Sequence, residues 1–289
     1  MNSYRAPRVD TEKHPNVSVF AVTDDFIDTS EKMIQSTHNV VTDYWKEKYE
    51  KDNTKNWDTF YKHNESKFFK DRHYLPDEFE LTELGSDSSR PFHVVDMGCG
   101  VGNALLPMLH HFPNMTASGF DCSATAINLL TDRLSAENLT ARCSARAGDM
   151  TDRSTDYSEF YGKADFVLLL FVMSAISPEH YEYITNLASL ILKPGGYVLF
   201  RDYGKYDMAQ LRFEAAAKRQ GNRLGDGFYV RGDGTRAKFF SQEEIRSVWE
   251  SKQDFNTGEL VMHNKLFTNR KTQVEMKRIW IQGKWQKKL

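Results

Sequence analysis

The 289-residue chain contains no apolar run approaching the roughly 20 residues that span a bilayer, so no membrane-crossing helix is expected. Its opening residues, MNSYRAPRVDTEKHPNV, lack an apolar signal core, which argues against secretion. Cysteine is scarce. Cys99, Cys122 and Cys143 are too few for a disulfide framework and form no CxxC pair, so a reducing compartment is expected and structural zinc is not. The nine histidines include no pair four residues apart, and metal chemistry has no support. Neither sign of charge dominates: 38 Lys and Arg against 40 Asp and Glu leave −2, which taken alone disfavours a nucleic-acid partner. The 40% hydrophobic and 27% charged fractions exclude bulk disorder and fibrous repeats.

Organisation along the chain is uneven. Residues 1–35 are polar without sustained periodicity, so 1–36 is read as a flexible arm. Val40, Val41, Tyr44, Trp45, Lys48 and Tyr49 then recur at helical spacing, and Trp57, Phe60 and Tyr61 extend it, with a break expected at Asn53–Asn56. FFKDRHYLPDEF (68–79) mixes aromatic and basic residues, and a loop, GSDSSRP (85–91), follows a helical extension assigned to 37–84. The main domain is assigned to 90–289. Its strand candidates FHVVDM (92–97), TASGFD (116–121), one within ARCSARAGDM (141–150), ADFVLLLF (164–171) and LKPGGYVLF (192–200) alternate with helical patterns. Pro107 must sit in the first turn of 104–112 or kink it, Ser123 suits an N-cap, and Pro178 suits a first turn. Such alternation predicts an α/β fold whose parallel sheet is covered on both faces. Beyond residue 200 a hairpin is expected at 228–240 around Gly232–Gly234, a capping box at Ser241 and Glu244, and a closing antiparallel pair at 258–268 and 275–285.

The informative motif is VVDMGCGVGN (94–103), a strand running into a glycine loop and then a helix. Gly98, Gly100 and Gly102 allow a sharp turn and close approach of backbone N–H groups to a ligand. Asp121, 19 residues after Gly102 at the end of the second strand, is placed to hold the ribose hydroxyls of a nucleoside. The dinucleotide fingerprint GxGxxG is not met, because Asn103 stands where its third glycine would be. With an acidic and aromatic setting suited to a sulfonium cation, the pattern favours S-adenosylmethionine over a nicotinamide cofactor. Asp149 and Met150, after the third strand, are candidates to meet the adenine, and Leu170 to floor the pocket. Trp57 and Tyr61, four apart on one helix face, read equally well as a lid over the cofactor or as an aromatic anchor for the arm.

On these residues the chain resembles the tRNA 3-methylcytidine methyltransferases of the methyltransferase-like family. The matching segments are WDTFYKHNESKFFKDRHYL (57–75), GCGVGNALLPML (98–109), LFVMSAISPE (170–179), LFRDYGKYDMAQLRF (199–213), FYVRGDGTRAKFF (228–240) and LFTNRKTQVEMKRIWIQGKW (266–285). The first 56 residues are not covered. The resemblance implies a Rossmann-like class I methyltransferase fold: a seven-stranded, mostly parallel sheet with an antiparallel last strand, plus an N-terminal helical arm. It implies S-adenosylmethionine-dependent methylation of N3 of an anticodon-loop cytidine (tRNA position 32), with the anticodon stem-loop as partner. It also implies cofactor contacts at Trp57, Tyr61, Gly98, Asp121, Asp149, Met150 and Leu170, which favours the lid. DMGCG departs from the usual acid one residue before the first glycine, since Met97 stands there and Asp96 precedes it. Some relatives depend on seryl-tRNA synthetase. A monomer in the cytoplasm, with the nucleus as second compartment, completes the expectation.

The N3 atom of neutral cytosine carries a free lone pair and needs alignment and exclusion of water rather than a base. A carboxylate accepting from the exocyclic amine would stabilise the positive charge that develops. Asp202 in FRDYG is the candidate, with Tyr203 stacking on or bonding the base and Arg201 holding a phosphate or pairing structurally. No cysteine is implicated. Two alternatives stay open: a small-molecule methyltransferase on the same fold, and a non-catalytic RNA-binding protein that retains it. The net charge of −2 divides into −10 over residues 1–200 and +8 beyond, where 19 Lys and Arg face 11 Asp and Glu. A basic surface beside the cofactor mouth is therefore expected.

Overall fold

A computed structural model describes residues 17–36, 40–81, 90–251, 253–269 and 271–289, with backbone alone at 218–220. The first sixteen residues of the expected arm and positions 85–89 of the expected loop lie outside the described residues. The remainder of the arm is not a structureless tail. Val17–Val19 forms a short strand, β1, that pairs antiparallel with a strand about 250 residues later, Val17 opposite Phe267. Thr23 then caps a helix, α1 (Asp24–Gln35), accepting from the Phe26 amide at 3.2 Å, with Asp24 and Asp25 complementing the helix dipole. The strand escaped the periodicity reading because its partner is remote in sequence. The helix escaped it because only Ser30 and Ile34 are buried.

The helical extension consists of α2 (Asp43–Lys51) and α3 (Asn53–Asn64). The break between them falls at Asp52, so Asn53–Asn56, expected to be the break, forms the first turn of α3. A short helix, α4 (Leu75–Glu78), leads to the sheet.

The sheet is built as the alternation predicts. Its strands are β2 (Phe92–Met97), β3 (Met115–Asp121), β4 (Cys143–Ala147), β5 (Ala164–Leu170), β6 (Leu192–Tyr203), β10 (Glu259–Thr268) and β11 (Glu275–Gln286). Their order, with β1 added at one edge, is β1-β10-β11-β6-β5-β2-β3-β4. Among the described residues the sheet therefore has eight strands, one more than the seven expected. β2 to β6 pair in parallel, and β11 enters antiparallel between β6 and β10. Both faces are buried, which is why β2 and β5 read as near-continuous apolar runs. Val95, Met97, Val198 and Phe200 face one core with α7 (Tyr181–Ile191) and α9 (Gln242–Glu250). Phe92, Val94 and Leu199 face the other with α4, α5 (Leu105–His111) and α6 (Ala124–Ala136). Pro107 sits in the first turn of α5, Ser123 caps α6, and Ser241 with Glu244 forms the capping box of α9.

Between β6 and α9 the chain inserts α8 (Met208–Gln220) and a small antiparallel sheet of β7 (Arg223–Gly225), β8 (Phe228–Val230) and β9 (Arg236–Lys238). The expected hairpin is β8–β9. Strand order reverses on either side of β2, so a crevice opens at the carboxyl ends of β2 and β5, where such sheets bind ligands.

Candidate functional site

The glycine loop is fixed from both sides. The Gly98 and Cys99 amides donate to the Phe120 carbonyl at 2.8 and 3.1 Å, tying the loop to the end of β3. Asp121, the next residue, accepts from the Gly100 amide through Oδ2 and from the Ser123 amide through Oδ1, both at 2.9 Å. Burial pushes its carboxyl above the ordinary value, while those two amides pull the other way. Gly100 has φ +52°, and a Cβ there would lie 2.5 Å from the Tyr61 hydroxyl, so glycine lets α3 close on the loop. Gly102 is a correction. It does not line the cavity. Its φ is +81°, and a Cβ would collide with Leu130 and Leu106, so its role is to let α5 and α6 pack.

The crevice is an open cavity holding about 980 Å³ of empty space, the solvent at its mouth included. Trp57, Tyr61, Gly98, Gly100, Asp121, Asp149, Met150 and Leu170 all line it. Asp149 is anchored: Oδ1 accepts from the Thr151 amide and hydroxyl at 2.8 and 2.7 Å, and Oδ2 from the Thr54 hydroxyl at 2.6 Å. The last bond fastens the start of α3 to the far side of the crevice. Asp58 adds a second fastening, accepting from the Ser123 hydroxyl and Thr125 amide at 3.0 and 2.9 Å. Trp57 and Tyr61, with ring centres 6.2 Å apart, are thereby held over the glycine loop. The pair thus lines the cavity on a helix anchored at two points, a placement compatible with both of its readings.

Three further lining residues carry unmet polar capacity. Asp96 is 2% exposed and accepts no hydrogen bond from any described residue, and burial pushes its carboxyl up to about 7. Arg72 Nη1 and Asn53 Oδ1 are buried without a partner. A buried polar atom without a protein partner calls for water, an ion or a ligand to meet it, and these three border a cavity that can hold one. Asp96 and Arg72 would complement the ammonium and carboxylate of an amino acid, so the cavity's donor set fits the methionine end of S-adenosylmethionine. Met97, the alternative position for that acid, lies in the core.

The acceptor-side candidates separate. Tyr203 lines the cavity. Asp202 does not: it is fully buried behind the wall, with Oδ2 accepting from the Ser174 amide and Oδ1 from the Tyr203 amide, both at 2.9 Å. It holds Ser174 and Tyr203, which do line the cavity, rather than facing a base itself. Burial pushes its carboxyl up to about 6. Arg201 is a second correction: it is 2% exposed and does not line the cavity but lies within the fold. There it pairs with Glu78 and lies 4.9 Å from the Tyr74 ring centre.

Phe171, Ser174, Arg231 and Arg236 line the acceptor side and were not singled out from sequence. Phe171 has φ +63°, a left-handed conformation uncommon for a bulky residue and concentrated at functional sites. Its ring lies 5.1 Å from Tyr203 and beneath the Arg72 guanidinium at 4.7 Å. No sequence signal marks that backbone. FYVRGDGTR did mark the arginines, but only as part of a general basic excess. Much of that excess is cancelled across the molecule: Lys205 pairs with Glu31, Arg236 with Glu50, and Arg201 and Lys265 with Glu78. The acidic first part and basic last part are thus partly the two sides of internal ion pairs.

A methyltransferase-domain family profile matches residues 60–257. A tRNA N(3)-methylcytidine methyltransferase of Drosophila melanogaster is 38% identical over 249 residues, 84% of this chain and 74% of that protein. A human tRNA N(3)-cytidine methyltransferase is 36% identical over 263 residues, covering 89% of this chain and 88% of its own. Among solved structures, an S-adenosylmethionine-dependent methyltransferase from Anabaena variabilis superposes with a TM-score of 0.56 at 15% identity, over 81% of this chain and 95% of that one.

Proposed function

The chain belongs to the tRNA N(3)-cytidine methyltransferase family, and from that premise we propose that it transfers a methyl group from S-adenosylmethionine to N3 of a cytidine in the anticodon loop of tRNA. The observation that carries the reading at the site is one cavity lined by both sets of residues. The glycine loop, Asp121, Asp96 and Arg72 share its lining with Tyr203, Phe171 and Arg231, and the Phe171 ring touches both the Arg72 guanidinium and Tyr203.

S-adenosylmethionine supplies an electrophilic methyl group on a sulfonium. Asp121, already oriented by two amides, keeps lone pairs for ribose hydroxyls. Asp96 and Arg72 fix the amino-acid end. Trp57 and Tyr61 present ring faces suited to a cation and exclude water from the reaction. The N3 lone pair attacks without a base, so the acceptor side has to orient an unpaired cytosine. Phe171 and Tyr203 offer aromatic surface on which to stack it. Seryl-tRNA synthetase as a helper, a monomeric state, and work in the cytoplasm, with the nucleus as second compartment, are part of the same proposal.

Asp96 gives a pH dependence. Its carboxyl, up at about 7 in the free protein, must ionise to meet the cofactor's ammonium. Cofactor affinity should therefore rise with pH below 7, with a limiting slope near tenfold per unit, and level off above it. Asp96→Asn should bind weakly with that slope removed. Calorimetric titration from pH 5.5 to 8 checks both, and a wild-type affinity flat across the range would remove Asp96 from cofactor binding.

The functional test is transfer of labelled methyl groups to unmodified tRNA. Label in tRNA is expected. Label only in small molecules would favour a small-molecule methyltransferase, and cofactor binding without any transfer would favour a non-catalytic RNA-binding protein.

A further inference from the structure

Arginines in the last part of the chain are almost all matched to acids. Arg201 pairs with Glu78, Arg223 lies near Glu214 and Asp226, Arg236 pairs with Glu50, Arg246 with Glu250, and Arg278 with Asp207. Among the described residues after position 200, only Arg231 and the exposed Arg212 have no carboxylate within 4 Å. Arg231 is half-buried, lines the cavity, and stands 6.0 Å from the Tyr203 ring centre. Its Nη1 donates to the Thr235 hydroxyl at 3.3 Å and the Arg236 carbonyl at 3.1 Å. These come from its own hairpin turn and aim the guanidinium; its charge also lowers the pKa of the fully buried Asp202 carboxyl, without an ion pair within 4 Å. The turn is held in place by α3, where Asn56 Nδ2 donates to the Gly234 carbonyl at 2.9 Å.

We propose that Arg231 is the anchor for a phosphate flanking the target cytidine, the contact that fixes how far the splayed nucleotide enters the cavity. Its target is a phosphodiester rather than the base. Methylation turns the cytosine ring into a cation, and a guanidinium bonded to the base carbonyl would draw electron density from N3 and oppose that charge. A guanidinium paired with a phosphate is neutralised and imposes no such penalty, and its planar fork matches phosphate geometry. The hairpin turn beside Arg231 is exposed at Gly232 and Asp233, which also suits a backbone contact. The assignment rests on the tRNA reading above.

The test compares wild type, Arg231→Ala and Arg231→Lys on unmodified tRNA at several salt concentrations, with cofactor affinity measured separately. Arg231→Ala should raise KM for tRNA about tenfold or more. It should also reduce the slope of log affinity against log salt by about 0.7 to 1, the signature of one lost phosphate contact. Cofactor affinity should stay within threefold, and Arg231→Lys should restore the salt slope with part of the affinity. An unchanged KM and salt slope in Arg231→Ala, with wild type active on tRNA, overturns the anchor and leaves the function standing. A loss confined to kcat at unchanged salt slope also overturns it, because it places the contact on the base. Wild type that forms no 3-methylcytidine overturns the function and the anchor with it.

Discussion

Asp121→Ala should weaken S-adenosylmethionine binding by about a hundredfold or more and abolish turnover at ordinary cofactor concentrations. The carboxylate performs two tasks at once. It accepts the Gly100 and Ser123 amides, so it shapes the glycine loop and the entry to α6, and its remaining lone pairs face the cavity. Hydrogen bonds to a charged group contribute roughly 1.5–3 kcal/mol each, so losing the ribose contacts alone accounts for the predicted affinity change. The two amides left without an acceptor cost roughly 1–3 kcal/mol each, which should lower Tm by several degrees. Asp121→Asn should be intermediate in both, since its one acceptor oxygen can serve one amide while its NH2 confronts the other. Calorimetric titration with thermal denaturation checks this. Wild-type affinity in Asp121→Ala would contradict the assigned role.

Asp202→Ala should lower kcat by about a hundredfold while leaving cofactor affinity within threefold. The side chain touches neither cavity nor ligand, and its effect comes through Ser174 and Tyr203, whose amides it holds. Misplacement of reacting groups by about 1 Å costs rate on this scale. Its raised pKa gives a sharper signature. The folded carboxyl titrates at about 6 against an ordinary 3.8, so the folded state binds the proton more tightly than the unfolded chain. The stability cost of this buried charge is fully present above pH 6 and disappears as pH falls from 6 towards 4. Protonation also weakens its hold on the two amides. Acidification through this window should thus reduce activity while the Asp202 contribution to stability becomes more favourable. Asp202→Asn should lose both trends. A kcat for Asp202→Ala equal to wild type would remove Asp202 from the acceptor wall.

What was legible in the sequence was local or periodic. The glycine loop followed by Asp121, the apolar strands, the Ser123 cap and the Ser241–Glu244 capping box each place their determinants within a few residues or one supersecondary unit. Non-local pairing was not legible. β1 depends on β10, and Arg201 on Glu78, more than a hundred residues apart in each case. Grouping Arg201 with Asp202 and Tyr203 overlooked a signal that was available. Val198 and Phe200 face one core and Leu199 the other, so the period of two already divides Asp202 from Arg201 and Tyr203. The charge division was read as one basic surface, whereas Glu31, Glu50 and Glu78 from the acidic part neutralise its partners inside the fold. What remains at the cavity edge is narrower, and Arg231 is its clearest element.

The central claim is tested most directly by identifying the product. Unmodified tRNA is incubated with the protein and methyl-labelled S-adenosylmethionine, digested to nucleosides and resolved by mass spectrometry, with the modified position mapped by fragment analysis. The account predicts label in 3-methylcytidine from the anticodon loop, and loss of that product in Asp121→Ala. Label on cytosine C5, on another base, or outside the anticodon loop would contradict it.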